Sequence, residues 1–488
     1  MPEAVTPRSK DYARWYTDVV QKAELADYGP VKGTMVIRPY GYALWEALRE
    51  AFDKRFKATG HQNAYFPLLI PKSFLSKEAE HVEGFAKEAA VVTHYRLRAA
   101  EGGGVEVDPD SKLDEELVIR PTSETMIWAM YKRWINSYRD LPILINQWAN
   151  IVRWEMPTRL FLRTSEFLWQ EGHTAHATEA EAREEAARIL EIYREVAETE
   201  MALPVIPGLK TEAEKFPGAV QTWSIEAMMG DRRALQCGTS HYLGQNFARA
   251  FDVTFRTEAN EEAFVYATSW GVSTRLVGAM VMAHGDDKGL RLPPRLAPVQ
   301  VVIVPIFRDE TRDEVLSACR PLLEALEKAG LRAHLDDRDT VSPGFKFNHW
   351  ELRGVPVRLE VGPKDIAAGQ AVVVRRDVEG KSTAPLDGLP SALPSLLDEV
   401  QAGLFQQAAD FRERHTRELD DYDALKAFLA EGGFARCGWD GEAASEAAIK
   451  GDTKATIRTV LPDEVPAGVK CIQSGAPAKH LVVLARAY

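Results

Sequence analysis

Four cysteines in 488 residues, at positions 237, 319, 437 and 471, are too few and too scattered for a disulfide framework, which points to a reducing compartment. No apolar run is long enough to cross a membrane; the most hydrophobic, residues 299–306, has the length of a buried strand. The first ten residues, Met-Pro-Glu-Ala-Val-Thr-Pro-Arg-Ser-Lys, lack the apolar core of a secretory signal. A cytoplasmic protein without membrane contact is therefore expected. Internal repeats and low-complexity tracts are also missing. Basic residues are in the minority, 60 against 72 acidic, for a formal net charge of −12. That balance does not exclude nucleic acid, because binding depends on where the positive charge lies, and the acid is concentrated at residues 108–116, 179–200 and 418–423.

What is present is a chain long enough for two or three domains, with 45% apolar and 27% charged residues. Leu44, Leu48 and Phe52, widened by Trp45 and Phe56, predict an amphipathic helix over 41–56, followed by an apolar strand at 64–71 whose Pro67 suits an edge or an interface. Residues 101–104 and 108–110 read as a loop insertion. Thr178 with Glu181 forms a capping box for a helix running to about Met201. Strands then dominate, at 222–229, 232–236, 251–256 and 264–269, which implies an antiparallel sheet with helices on one side. After Pro298 the texture alternates: strand 299–305, a helix carrying Val315, Cys319, Leu322 and Leu326, strand 331–335, a helix near 345–352, strand 355–361 and a last strand at 371–376. This is a separate α/β domain with parallel pairing. A short module around Cys437 and Cys471 closes the chain, giving expected boundaries of 1–295, 296–404 and 405–488.

Four polar constellations carry chemistry. In the stretch 153–173, Arg153 and Glu155 alternate along a strand, a turn follows, and Arg163, Phe167 and Glu171 recur at every fourth position. Arginine forks bind phosphate oxygens, an aromatic face stacks on a purine, and a carboxylate accepts from an exocyclic amine. In Arg120-Pro-Thr-Ser-Glu124, Thr122 and Glu124 face the same way on an extended segment and suit a substrate ammonium; taken alone, Thr122 with Thr125 ahead of an apolar helix reads as a helix N-cap. Residues 236–241 hold Cys237 near His241, yet nothing else supports thiolate chemistry, and small residues at a strand end commonly line a pocket. Residues 269–275 run through a glycine strand into an apolar helix, with Arg275 at its start, where backbone amides also favour anions.

A helix ending in a strand proline at Pro67, the Arg153-x-Glu155 strand looping to Arg163 and Phe167, and the glycine strand entering a helix at Arg275 resemble motifs 1, 2 and 3 of the class II aminoacyl-tRNA synthetases. R-P-T-S-E at 120–124, F-L-W-Q-E-G-H-T at 167–174, Q-C-G-T-S-H-Y-L-G-Q-N-F at 236–247 and S-W-G-V-S-T-R at 269–275 are similar to the prolyl-tRNA synthetases in their archaeal and eukaryotic-type form. The likeness covers nearly the whole chain. It implies an antiparallel-sheet α+β catalytic domain with flanking helices, an α/β anticodon-binding domain, a small α/β C-terminal module and a homodimer. Arg153 and Arg275 become the catalytic groups. ATP falls to Arg153, Glu155, Arg163, Thr164, Phe167, Gln236, Thr239, Ser273 and Arg275, with Mg²⁺ on its phosphates. Proline falls to Thr122, Glu124, Arg153, Trp169, Glu171, His173, Ser240 and His241.

The same likeness assigns the anticodon of tRNA(Pro) to Phe347, Glu351 and Lys364, whereas Trp350 reads as core. Relatives carry four zinc-binding cysteines where this chain has Cys437, Ser445, Cys471 and Ser474. Serine is a poor zinc ligand, so zinc is not expected. The segment between Glu171 and Gly271 is consumed by strands and one helix, so no editing domain is expected there. Another class II synthetase, for threonine, glycine or histidine, is the enzymatic alternative. A catalytically retired relative acting as a binding or regulatory subunit is the other; such a protein would be expected to lose phosphate anchors, and Arg153, Arg163 and Arg275 are all present.

Overall fold

The side-chain alternation of Phe167, Trp169, Glu171 and His173 sits on one strand of a sheet much larger than the local pattern suggests. In a computed structural model describing residues 5–75, 89–154 and 157–488, eleven strands share one sheet. In chain order they are β1 (Gln62–Asn63), β2 (Ile143–Val152), β3 (Glu166–His176), β4 (Val205–Leu209), β5 (Gln221–Met228), β6 (Ala234–Gly244), β7 (Tyr266–Ser273), β8 (Thr416–Glu418), β9 (Phe434–Trp439), β10 (Thr456–Val460) and β11 (His480–Ala485). Their spatial order is β8-β9-β11-β10-β4-β5-β6-β7-β3-β2-β1. All pairs are antiparallel except β8 with β9 and β1 with β2.

Helices cover one face. α1 (Pro39–Ala58) starts with proline at its first turn, where the missing N–H costs nothing. Its Leu44, Leu48, Phe52 and Phe56 are buried, with Phe52 edge-on to Tyr193 at 5.7 Å and Phe56 against Trp270 at 5.0 Å. Burying each such side chain contributes about 1.5–3 kcal/mol. Gly172 is required here: a Cβ would sit 2.1 Å from the Trp270 ring. α2 (Glu124–Trp134) follows the Arg120–Glu124 segment, and α3 (Glu179–Thr199) opens with the expected capping box, Glu181 N–H donating to Thr178 Oγ1 and Thr178 N–H to the Glu181 carboxylate. α4 (Arg275–His284) enters directly from β7.

Several local expectations shift. Of the apolar strand expected at 64–71 only Leu69–Pro71 forms, in a separate three-stranded sheet, while β1 just before it holds the edge of the large sheet. The loop at 101–110 is the end of a hairpin, Leu97–Ala99 with Val105–Val107. Positive φ at Arg232 and Asp252 delays the strands expected at 232 and 251, which start at Ala234 and Thr254. The α/β domain has parallel pairing of Val301–Pro305 with Ala333–Leu335 and Val357–Val361, but two antiparallel strands follow, Gln370–Arg375 and the unexpected Ser382–Pro385. α5 (Leu389–Arg414) runs unbroken through the expected 404/405 boundary. Its Leu393 and Leu397 join the α/β core while Val400 and Leu404 pack on Ala202 of the larger domain, so one helix serves both.

The closing module is not a separate sheet. β10 pairs with β4, and the module's strands continue the catalytic sheet. The seam holds a buried triad: Lys210 Nζ meets Glu226 Oε1 at 2.7 Å and Arg458 Nη2 meets Glu226 Oε2 at 3.1 Å, with side chains 2%, 0% and 9% exposed for Lys210, Glu226 and Arg458.

Candidate active site

On the face opposite α1 and α3, a cavity of about 320 Å³ is lined by Phe167, Trp169, Glu171 and His173 from β3, with Gln236, Thr239 and His241 from β6. A small cleft of about 40 Å³ adjoins it, lined by Arg163 and Thr164; both spaces share Arg153, Phe167, Ser273 and Arg275. The period of two on β3 turns its four side chains to the same side, and the β2–β3 register sets Glu171 directly opposite Gln147.

Arg153 sits where the two spaces meet. Its Nε donates to the Pro121 carbonyl at 2.9 Å, and its guanidinium lies 5.8 Å from the Phe167 ring centre and 5.5 Å from that of Trp169. Arg275 takes its place at the start of α4, its N–H donating to Ser273 Oγ at 3.2 Å and its Nε to the Leu162 carbonyl at 3.3 Å. That second bond ties the helix start to the turn carrying Arg163. Tyr488 reaches the same turn, its ring 5.5 Å from the Arg159 guanidinium and its hydroxyl donating to Asp231 Oδ2 at 2.5 Å. Glu155, the expected reader of a base amine, lies outside the described residues.

The far end is polar and buried. Thr122 donates to the Glu124 carboxylate, and Glu171 pairs with His173 at 3.0 Å. Burial alone would lower the His173 pKa, but the Glu171 hydrogen bond and the nearby Glu124 charge outweigh it and raise it. Burial wins at His241, pushed down to about 3 and therefore neutral, with Nδ1 held 2.9 Å from Thr222 Oγ1 and its ring stacked on Phe216 at 4.6 Å. The N-cap reading of Thr122 fails: Ser123 occupies the cap of α2 and makes no capping bond, because its hydroxyl donates to Glu171 at 2.5 Å. Cys237 lines the cavity, but burial raises its thiol far above the usual range, which leaves it without nucleophilic character.

One expected site residue is misplaced. Ser240 donates to the Ala186 carbonyl of α3 at 2.7 Å, on the helix-covered face, because strand alternation sends it opposite to Thr239 and His241. Phe216, Thr222, Ser123 and Gln147 went unnoticed in the sequence; only the parity of β5 could have flagged Thr222. The three anticodon candidates each have surroundings of their own. Phe347 lies against Arg358 and Lys381, at 4.5 and 5.5 Å, Glu351 turns toward Lys288 of the larger domain at 3.5 Å, and Lys364 is exposed on the short helix Pro363–Ala367. Trp350 is core, as expected, its Nε1 donating to Asp336.

In the closing module the four positions compared with zinc ligands do not fit the metal. Ser445 and Ser474 each donate to Asp440 at 2.6 Å, so hydroxyls and one carboxylate form a hydrogen-bonded hub between Cys437 and Cys471. Among the described residues no three His, Cys, Asp or Glu side chains stand together for a metal ion, and no helix is long and apolar enough to cross a membrane.

Three family models match successive parts of the chain. The family described as "tRNA synthetase class II core domain (G, H, P, S and T)" matches residues 105–284, "Anticodon binding domain" matches 300–396, and "Prolyl-tRNA synthetase, C-terminal" matches 422–488. The chain is 56% identical over 487 residues to a proline–tRNA ligase of Porphyromonas gingivalis, 99% of either chain being covered. It is 56% identical over 496 residues to that of Chloroherpeton thalassium and 54% over 490 to that of Salinibacter ruber, covering both chains fully in each case.

Proposed function

Because the chain belongs to the class II prolyl-tRNA synthetases, we propose that its two confluent spaces are where proline and ATP meet, and that it joins proline to tRNA(Pro). The observation carrying this is the single row on β3: Phe167 at the small cleft, Trp169 in the middle, Glu171 and His173 at the buried polar end, with Arg153 over the junction.

ATP binds with its base against Phe167 and its phosphates toward Arg163 and Arg275, with Thr164, Gln236, Thr239 and Ser273 around it; Glu155 reads the amine. Proline lies at the other end, its ammonium toward Thr122 and Glu124 and its ring by Trp169 and His241. A proline carboxylate oxygen attacks the α-phosphorus in line, forming the acyl–phosphate bond as the bond to pyrophosphate breaks. Arg153 and Arg275 neutralise charge that grows on the phosphoryl oxygens. The carboxylate is already a nucleophile, so no side chain removes a proton, and positioning supplies much of the rate. A ribose hydroxyl of the tRNA end then attacks the prolyl carbonyl and AMP leaves. Mg²⁺ bound with the nucleotide would add to the neutralisation of phosphate charge that Arg163 and Arg275 supply.

Further proposals rest on the same reading. A homodimer is supported by Tyr65, two residues past the edge strand β1, and by Leu69 and Val91 on the outer strands of the separate three-stranded sheet, which are 70%, 40% and 51% exposed; a monomeric mass in sedimentation would refute it. The anticodon is read by the domain containing Phe347, Glu351 and Lys364, the subtype is the archaeal and eukaryotic-type form, the compartment is cytoplasmic, and no editing occurs in cis. The hydroxyl-filled hub at Asp440 supports a zinc-free module, which stoichiometric zinc in elemental analysis would overturn.

Amino-acid-dependent ATP–pyrophosphate exchange, run across the standard amino acids, tests the central assignment. Exchange with proline is expected; none, or exchange with threonine, glycine or histidine only, would sink it.

A further inference from the structure

Glu171 borders the cavity, yet its oxygens are engaged by the protein itself. Oε1 accepts from Ser123 Oγ at 2.5 Å and from Gln147 Nε2 at 2.7 Å, and Oε2 meets His173 Nε2 at 3.0 Å. A carboxylate so engaged acts first on its neighbour. That neighbour, His173, is 1% exposed, lines the cavity, and has a buried Nδ1 with no hydrogen-bond partner among the described residues.

Gln147 holds this arrangement in register. It is fully buried on β2, directly across from Glu171. Its Oε1 accepts from the Phe66 backbone N–H at 2.5 Å, which fixes which end of the amide is which and leaves the NH₂ facing Glu171 and Ser123. Ser123 forgoes its helix cap for the same carboxylate.

Resting on the assignment of this end of the cavity to proline, we propose that Gln147 is a positioning residue for amino-acid recognition, orienting Glu171 so that the Glu171–His173 pair presents the imidazole at a fixed place in the pocket wall. Glu124, Arg153, Glu214, Lys215, Cys237, His241 and Arg275 are the other charged or titratable side chains lining that cavity. The raised His173 pKa and the lowered Glu171 pKa agree with an ion pair kept intact by these contacts. A misoriented Glu171 would release the ring and blunt proline binding while leaving the nucleotide cleft alone.

Two variants test this in steady-state exchange. Gln147→Met removes both amide functions and is expected to raise KM for proline about tenfold with KM for ATP unchanged. Gln147→Glu keeps an acceptor for Phe66 N–H but sets a second carboxylate against Glu171. Such a pair shares a proton at lower pH and repels at higher pH. The ratio of its proline KM to that of the wild type should therefore climb with pH, which a purely structural role would not produce. Should Gln147→Met not fold, the pH profile of Gln147→Glu decides alone. Equal changes in both KM values, no change, or a flat ratio would overturn the role of Gln147 while leaving the substrate assignment standing. A wild type inactive with proline would instead remove the assignment, and this role with it.

Discussion

Arg153→Ala is expected to lower kcat for proline-dependent exchange by about 10²–10³-fold, the usual cost of removing one preorganised donor from a developing oxyanion. The guanidinium is anchored through Nε to Pro121 and bounded by the rings of Phe167 and Trp169, so its position does not depend on substrate arriving. Alanine leaves those neighbours in place, and thermal melting should move little. Arg153→Lys restores a charge but not the planar fork, so it should recover only a small part of the rate. Rates within a few-fold of wild type for the alanine variant, measured by pyrophosphate exchange, would mean that the charge is neutralised elsewhere.

Glu226→Ala should be the most damaging change away from the cavity, costing about 3–5 kcal/mol of unfolding free energy because it strands two buried cations. Lys210 approaches Glu226 from just past the end of β4 and Arg458 from β10, so one carboxylate neutralises charge from both sides of the seam. Burial lowers the Lys210 pKa and Glu226 opposes that fall, so removing the carboxylate takes away the main contact that holds the ammonium charged. Replacing Lys210, Glu226 and Arg458 together by apolar residues of similar size should restore much of the loss, since no charge is then left behind. Urea denaturation followed by tryptophan fluorescence reads both. A Glu226→Ala midpoint equal to that of the wild type would show that the triad contributes nothing to stability.

Part of the row lining the cavity was legible because its residues lie close in sequence: Arg153, Arg163, Phe167 and Glu171 stand out by their spacing, whereas Trp169 and His173 enter only through the family resemblance. Ser240 was misassigned despite an available signal, since the alternation that faces Thr239 and His241 inward must turn Ser240 outward. Gln147 was illegible for a different reason. Nothing in Asn146-Gln147-Trp148 distinguishes it until the β2–β3 register sets it against Glu171. The fusion of the closing module with the catalytic sheet was hidden likewise, because a pairing such as Leu209 with Val460 joins residues remote in sequence and leaves no local pattern.

That shared sheet also bears on how the protein is made. β4 is an interior strand only once β10 lies beside it, and β10 is itself flanked by β11 at residues 480–485. While the ribosome is still translating the α/β domain, the half-built sheet presents the free edge of β4, an open template for pairing with another nascent chain. This edge is covered only after residues 456–460 have been made, and conditions that slow elongation beyond residue 300 should favour aggregation over folding.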